Sequence, residues 1–185
     1  MSTPTGEQYA LAFEGGGRQS RAIITEVAAG IRALEVDGVA LVETYAETSV
    51  PPYGSGIVLV PWPNRVEDGE WMLEGETQHL DITEPKKHNA IHGLLRYTAY
   101  RVAARDESSI MLTATVFPQH GYPFQLDTSV TYELGPDGLT VTHTVTNVGV
   151  RTAPVAIGAH PYLCLGDEPL EQLTLTLGAA THIAV

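Results

Sequence analysis

Apolar and polar residues alternate with a period of two along most of this chain. From Phe124 the apolar row runs through Leu126, Val130, Tyr132 and Leu134, with Thr128 in the same register and mostly polar residues between. One face toward a core and one toward water is the pattern of a half-buried antiparallel strand. Gly135-Pro136-Asp137-Gly138 then predicts a turn. The run after it carries Leu139, Val141, His143 and Val145 on one face and Thr140, Thr142, Thr144 and Thr146 on the other. Two alternating runs joined through Asp-Gly predict a β-hairpin.

The same grammar recurs upstream. Residues 31–36 lead through Asp37-Gly38 into 39–42. Val66 leads through Asp68-Gly69 into Trp71 and Leu73, and Glu74-Gly75 turns the chain toward Leu80 and Ile82. Further strands are predicted at 9–13, 21–27, 97–102, 110–117, 154–157 and 173–177. No window carries sustained helical periodicity. Many short strands with Gly and Pro turns predict an all-β sandwich or barrel. The last row, Leu173, Leu175 and Leu177, needs a facing sheet to bury it. It reads equally as a strand of an unfinished sandwich or as a terminal strand with a short tail.

Composition narrows the function classes. A chain of 185 residues suits one domain over 1–185 with a real core. Its 10 Lys+Arg stand against 22 Asp+Glu, a net charge of −12. Such a surface repels phosphate backbones and anionic lipid, so nucleic acid and membrane are poor partners. Cys164 is the single cysteine, which excludes an intrachain disulfide and is compatible with a reducing cytoplasm. The first ten residues lack the basic-then-apolar layout of a signal peptide. The pattern specifies no oligomeric state.

Three segments place polar chemistry at the ends of strand-like runs: Pro61-Trp62-Pro63-Asn64-Arg65, Asn89-Ala90-Ile91-His92-Gly93 and Gly158-Ala159-His160-Pro161-Tyr162. The prolines stiffen the first and fix the pose of Asn64 and Arg65. A guanidinium there suits sugar hydroxyls or a carboxylate. Taken singly, Arg65 is a surface arginine beside a turn and His92 a hydrogen-bonded core histidine. Together with His160, a residue type that exchanges protons near neutrality, they form acid–base apparatus for a polyhydroxylated ligand. No carboxylate is evidently placed as the matching base. The i, i+4 pair His88 and His92 lacks the glutamate of a zinc-protease helix, so no metal is expected. Gly15-Gly16-Gly17 has no nucleotide-loop spacing, Gly54-Ser55-Gly56 lacks a nucleophile elbow's context, and Cys164 reads as a structural thiol.

The order and separation of Gly56-Ile57-Val58-Leu59-Val60-Pro61-Trp62-Pro63-Asn64-Arg65, Asn89-Ala90-Ile91-His92-Gly93-Leu94 and Gly158-Ala159-His160-Pro161-Tyr162 resemble the aldose 1-epimerase (galactose mutarotase) family. The Gly121-Tyr122-Pro123 turn fits as well, and Pro-Trp-Pro-Asn-Arg resembles the bacterial sugar-epimerase-like branch more than the best-studied galactose mutarotases. The resemblance implies a large antiparallel β-sandwich, an isomerase that interconverts α and β anomers of free aldoses, and no metal or organic cofactor. By resemblance, His160 protonates the ring oxygen and His92 is the second active-site histidine. Arg65 binds hydroxyls, and Asn64 and Tyr162 line the pocket. The family's base glutamate and a sugar-binding aspartate are expected beyond residue 185, so the sandwich is expected to be incomplete at its C-terminus. The alternatives are a carbohydrate-binding or regulatory module without catalysis, and a β-rich interaction domain whose histidines are structural.

Overall fold

The computed structural model describes residues 3–176 and 178–181. β1 (Gln8–Gly15), β2 (Arg18–Thr25), β3 (Ile31–Val36) and β4 (Val39–Ala40) form a four-stranded antiparallel meander. Three short pairings involve the strands that follow, β5 (Val58–Leu59), β6 (Arg65–Glu67), β7 (Glu70–Leu73), β8 (Glu76–His79) and β9 (Asn89–Ile91). A second four-stranded meander comprises β10 (Arg101–Arg105), β11 (Ser109–Val116), β12 (Leu126–Gly135) and β13 (Gly138–Asn147). β14 (Gly158–Ala159) returns to pair with β5. Helical structure among the described residues is limited to three single 3-10 turns.

The two meanders bury one core between them. Leu11, Ala22 and Ile24 of the first sheet pack with Ile110, Leu112, Val130 and Tyr132 of the second, and each is almost fully buried. These are the alternating positions that the period of two assigns to one face. Tyr132 also ties the layers together through a polar contact: its hydroxyl donates to the Ala29 carbonyl at 2.6 Å. The fold is therefore the expected all-β, antiparallel architecture.

The β12–β13 hairpin forms in the expected register, with Leu134 opposite Leu139 and Val130 opposite His143. β13 has no strand on its other edge among the described residues. Three expected strands and one expected hairpin differ. Residues 97–100 spend their backbone on the 26–28 loop instead: Tyr100 N–H donates to Glu26 O, and the Thr98 carbonyl accepts from Ala28. The strand therefore starts at Arg101. The Asp68-Gly69 turn forms but joins no hairpin, because β6 pairs with β9 while β7 pairs with β8. Residues 154–157 are irregular, since Pro154 lacks a donor and Ala156 N–H donates sideways to Pro61 O. Residues 173–176 form no strand and Leu175 is largely exposed. Without a facing sheet, alternation alone does not hold a strand. Leu177 lies outside the described residues.

Removing the interlayer tether tests this packing. Tyr132→Phe leaves the Ala29 carbonyl buried without its donor and should lower stability by about 1–3 kcal/mol. Urea unfolding should show a lower midpoint with an unchanged slope. An unaltered midpoint would remove the tether from the account.

Candidate functional site

The site is organised by one extended segment, residues 56–65, whose backbone is hydrogen bonded along both edges. Along one edge β5 pairs with β14, placing Gly158 opposite Leu59 and Ala159 opposite Val58. His160 then closes a reciprocal pair at the end of this ladder. Its N–H donates to Ile57 O at 3.1 Å, and its carbonyl accepts from Gly56 N–H at 2.8 Å. Along the other edge Val60 bridges Gly93, Leu94 N–H donates to Val60 O, and β6 pairs with β9. His92 N–H donates to the Asn64 carbonyl at 2.9 Å. Backbone pairing alone thus brings the three chemistry-bearing segments side by side.

Two backbone positions make the close approach possible. A Cβ on Gly93 would lie 2.1 Å from the Val60 oxygen, and one on Gly56 would lie 2.0 Å from the Ile31 oxygen. Both glycines also have positive φ, which side chains rarely adopt. Asn64 and His92 sit at positive φ themselves, 56° and 65°. These conformations turn their side chains out of the alternation that a regular strand would impose.

All five residues expected from the sequence meet here. The His92 and His160 rings lie 5.1 Å apart, edge to face at 81°. The Tyr162 ring lies 5.4 Å from that of His160, tilted by 31°. Arg65 Nη1 donates to Asn64 Oδ1 at 3.3 Å. His92 is buried, only 9% exposed, while Tyr162 is 39% exposed, so the cluster has a buried floor and an open rim. His92 Nδ1 has no hydrogen-bond partner among the described residues.

Two residues of the site were not singled out in the sequence. Glu84 takes Arg65 in a side-on pair, from Nε at 2.6 Å and Nη2 at 2.8 Å, and accepts from Asn89 Nδ2 at 3.2 Å. Arg65 and Asn89 hold the Glu84 carboxyl down to about pKa 2. The site therefore does contain a carboxylate, committed to the guanidinium. Its sequence signal is slight: a Glu-Pro step, which keeps Glu84 out of the helical region, five residues before Asn89. Arg96, four residues past His92, is the second. It adds a guanidinium charge near the imidazole and stacks over the exposed Tyr97 ring at 4.7 Å. His88 does not join: its Nδ1 lies 2.7 Å from Asp68 Oδ1 on the surface. Cys164 is half-buried, and burial raises its thiol pKa, as a structural thiol requires.

Burial, with His160, Arg96 and Arg65 nearby, lowers the His92 pKa to about 4 against the opposing pull of Glu84. His92 is thus a neutral imidazole at neutral pH, suited to hydrogen bonding rather than to carrying charge. A neutral ring beside a second, more exposed ring, with a fixed guanidinium on the rim, can bind hydroxyls and exchange a proton.

The profile of the family described as aldose 1-epimerase matches residues 15–181. The uncharacterized protein YihR of Escherichia coli K12 is 38% identical over 165 residues, which cover 89% of this chain and 54% of YihR. Among solved structures, a GalM/aldose epimerase homologue from C. elegans superposes with a TM-score of 0.70 at 16% identity. That match covers 86% of this chain and 51% of the other. A galactose mutarotase-like protein from Lactobacillus casei gives 0.65 at 23% identity, covering 84% and 50%. At these identities the structures speak for the fold. The chain spans about half the length of these relatives.

The depressed His92 pKa has a signed consequence. Unfolded, the imidazole takes a proton below its ordinary 6.5; folded, it refuses one until about pH 4. Stability should therefore fall as pH drops from about 6.5 to about 4. Loss through Glu84 sets in lower, below its ordinary 4.5. His92→Asn should flatten thermal midpoints between pH 6.5 and 4.5. In NMR the wild-type His92 ring should stay neutral at pH 5; a midpoint near 6.5 would refute the burial account.

Proposed function

This chain belongs to the aldose 1-epimerase family, and from that premise we propose that its histidine pair serves the interconversion of α and β anomers of a free aldohexose. The observation that carries the reading is the 5.1 Å approach of His92 and His160 beside a fixed Arg65. In this scheme His160, on the open side, donates a proton to the ring oxygen as the C1–O5 bond breaks. A base removes the proton of the C1 hydroxyl, leaving an open-chain aldehyde. Rotation about C1–C2 presents the other carbonyl face, and the C5 hydroxyl adds back with both proton transfers reversed. His92, neutral and buried, hydrogen bonds the sugar and sets its orientation. Arg65 binds hydroxyls, and Asn64 and Tyr162 border the ligand. The scheme needs no metal or organic cofactor. Its setting is a reducing cytoplasm, in keeping with the lone Cys164.

The base is the part these 185 residues do not supply in the scheme. Glu84 is a carboxylate at the site, and its pairing with Arg65 and Asn89 makes it a poor proton acceptor. The family resemblance assigns the base to a glutamate expected beyond residue 185. The same observation supports a second reading, a carbohydrate-binding or regulatory module without turnover. Saturable sugar binding with anomer exchange no faster than in buffer would establish it.

NMR exchange spectroscopy on 13C-labelled galactose and glucose separates the two. On the enzyme reading, protein accelerates anomer exchange, and His160→Ala slows it by roughly 10²–10⁴ while affinity changes only a few-fold. An exchange rate indifferent to His160→Ala would take the proton-donor role away from that residue.

A further inference from the structure

Glu84 is held more firmly than a surface carboxylate ordinarily is. Exposed ion pairs are loose because two long side chains must be frozen into one geometry. Here the freezing is largely done by the backbone. The Glu84 N–H donates to the Asn89 carbonyl at 2.9 Å, and Asn89 N–H donates back to Glu84 O at 3.3 Å. Pro85 keeps Glu84 out of the helical region, and the 3-10 turn Pro85–Lys87 follows directly. The two residues that meet Glu84, Arg65 and Asn89, come from the paired strands β6 and β9. Its side chain is 22% exposed, beside an Arg65 side chain at 36%.

What this clamp leaves free is specific. A guanidinium carries five N–H groups in one plane. Glu84 occupies the side-on edge, Nε and one N–H of Nη2, and Asn64 Oδ1 takes one N–H of Nη1. Two N–H groups are left, one on each terminal nitrogen, and that of Nη2 belongs to the end-on edge. Donors fixed in direction match hydroxyls of a sugar, and fixing them beforehand removes an ordering cost from binding. The carboxylate oxygens, already turned to Arg65 and Asn89, are not placed to exchange a proton with a ligand.

We propose that Glu84 is a positioning residue, which holds the Arg65 guanidinium so that its two remaining N–H groups meet hydroxyls of the bound sugar. The ligand in this statement rests on the sugar reading above; the clamp itself does not. Glu84 touches no reacting atom and acts through Arg65.

15N relaxation of the Arg65 Nε–Hε group in the 185-residue chain reads the clamp without any sugar. The wild type should show an order parameter near that of rigid backbone, about 0.85, and Glu84→Gln a value below about 0.6 with amide shifts elsewhere unchanged. Titration with galactose and glucose reads the consequence. Glu84→Gln should weaken binding about tenfold, the scale of one lost charge-assisted hydrogen bond. Glu84→Asp, which keeps the charge, should fall between wild type and Glu84→Gln in both readouts. Arg65→Lys combined with Glu84→Gln should bind no more weakly than Arg65→Lys alone, because the carboxylate works through the guanidinium. An Nε–Hε group as rigid in Glu84→Gln as in wild type overturns the clamp. Additive losses in the double variant overturn action through Arg65. Failure of wild type to bind either sugar overturns the ligand assignment and the sugar reading together, while the relaxation result still decides the clamp.

Discussion

The whole site depends on a single strand-like segment being hydrogen bonded on both edges. Backbone donors and acceptors that leave water must find partners, and residues 56–65 find theirs in two places far apart in sequence. Val58 and Leu59 are satisfied by β14, and Val60, Asn64 and Arg65 by the segment around β9. The imidazoles and the guanidinium converge because the ladders that carry them share a rail.

Electrostatics then sorts what the backbone has assembled. His92 lies buried against His160 with Arg65 and Arg96 near, and each influence works against its protonated form. Arg65 would reinforce this more strongly were its charge not met by Glu84, which faces His92 with the opposite sign. The outcome is a division between a neutral inner ring and a more exposed outer one, with one ion pair balancing the rim. In an acidic chain of net charge −12, the cations Arg65 and Arg96 gathered at this spot stand apart from the surface around them.

Much of this was legible beforehand, and the parts that were not have physical reasons. Alternation located the strands β1, β2, β3, β11, β12 and β13, because each sheet buries one face against the other and the period records which. It failed at 97–100, 154–157 and 173–176, where apolar residues recur but backbone partners lie off the strand or are absent. Pairing is a property of two segments, and a one-dimensional pattern reports only one. At the site, Asn64, Arg65, His92, His160 and Tyr162 announced themselves through rigid Pro- and Gly-framed segments. Glu84 did not: a lone carboxylate before a proline carries no periodic signal, and its importance comes from β6 lying beside β9. Arg96 was missed for a related reason, since its effect on His92 is exerted through space.

The two rails of residues 56–65 also differ in how far the chain must travel to build them. β6 and β9 are joined by a short excursion, whereas Leu59 must wait for Gly158, roughly a hundred residues later. Closing so large a loop carries an entropic penalty that only an otherwise assembled scaffold can offset. During synthesis the first imidazole and its guanidinium neighbour can settle early, while the second must await most of the sandwich. Docking of the returning segment is thereby the step that brings the second imidazole beside the first.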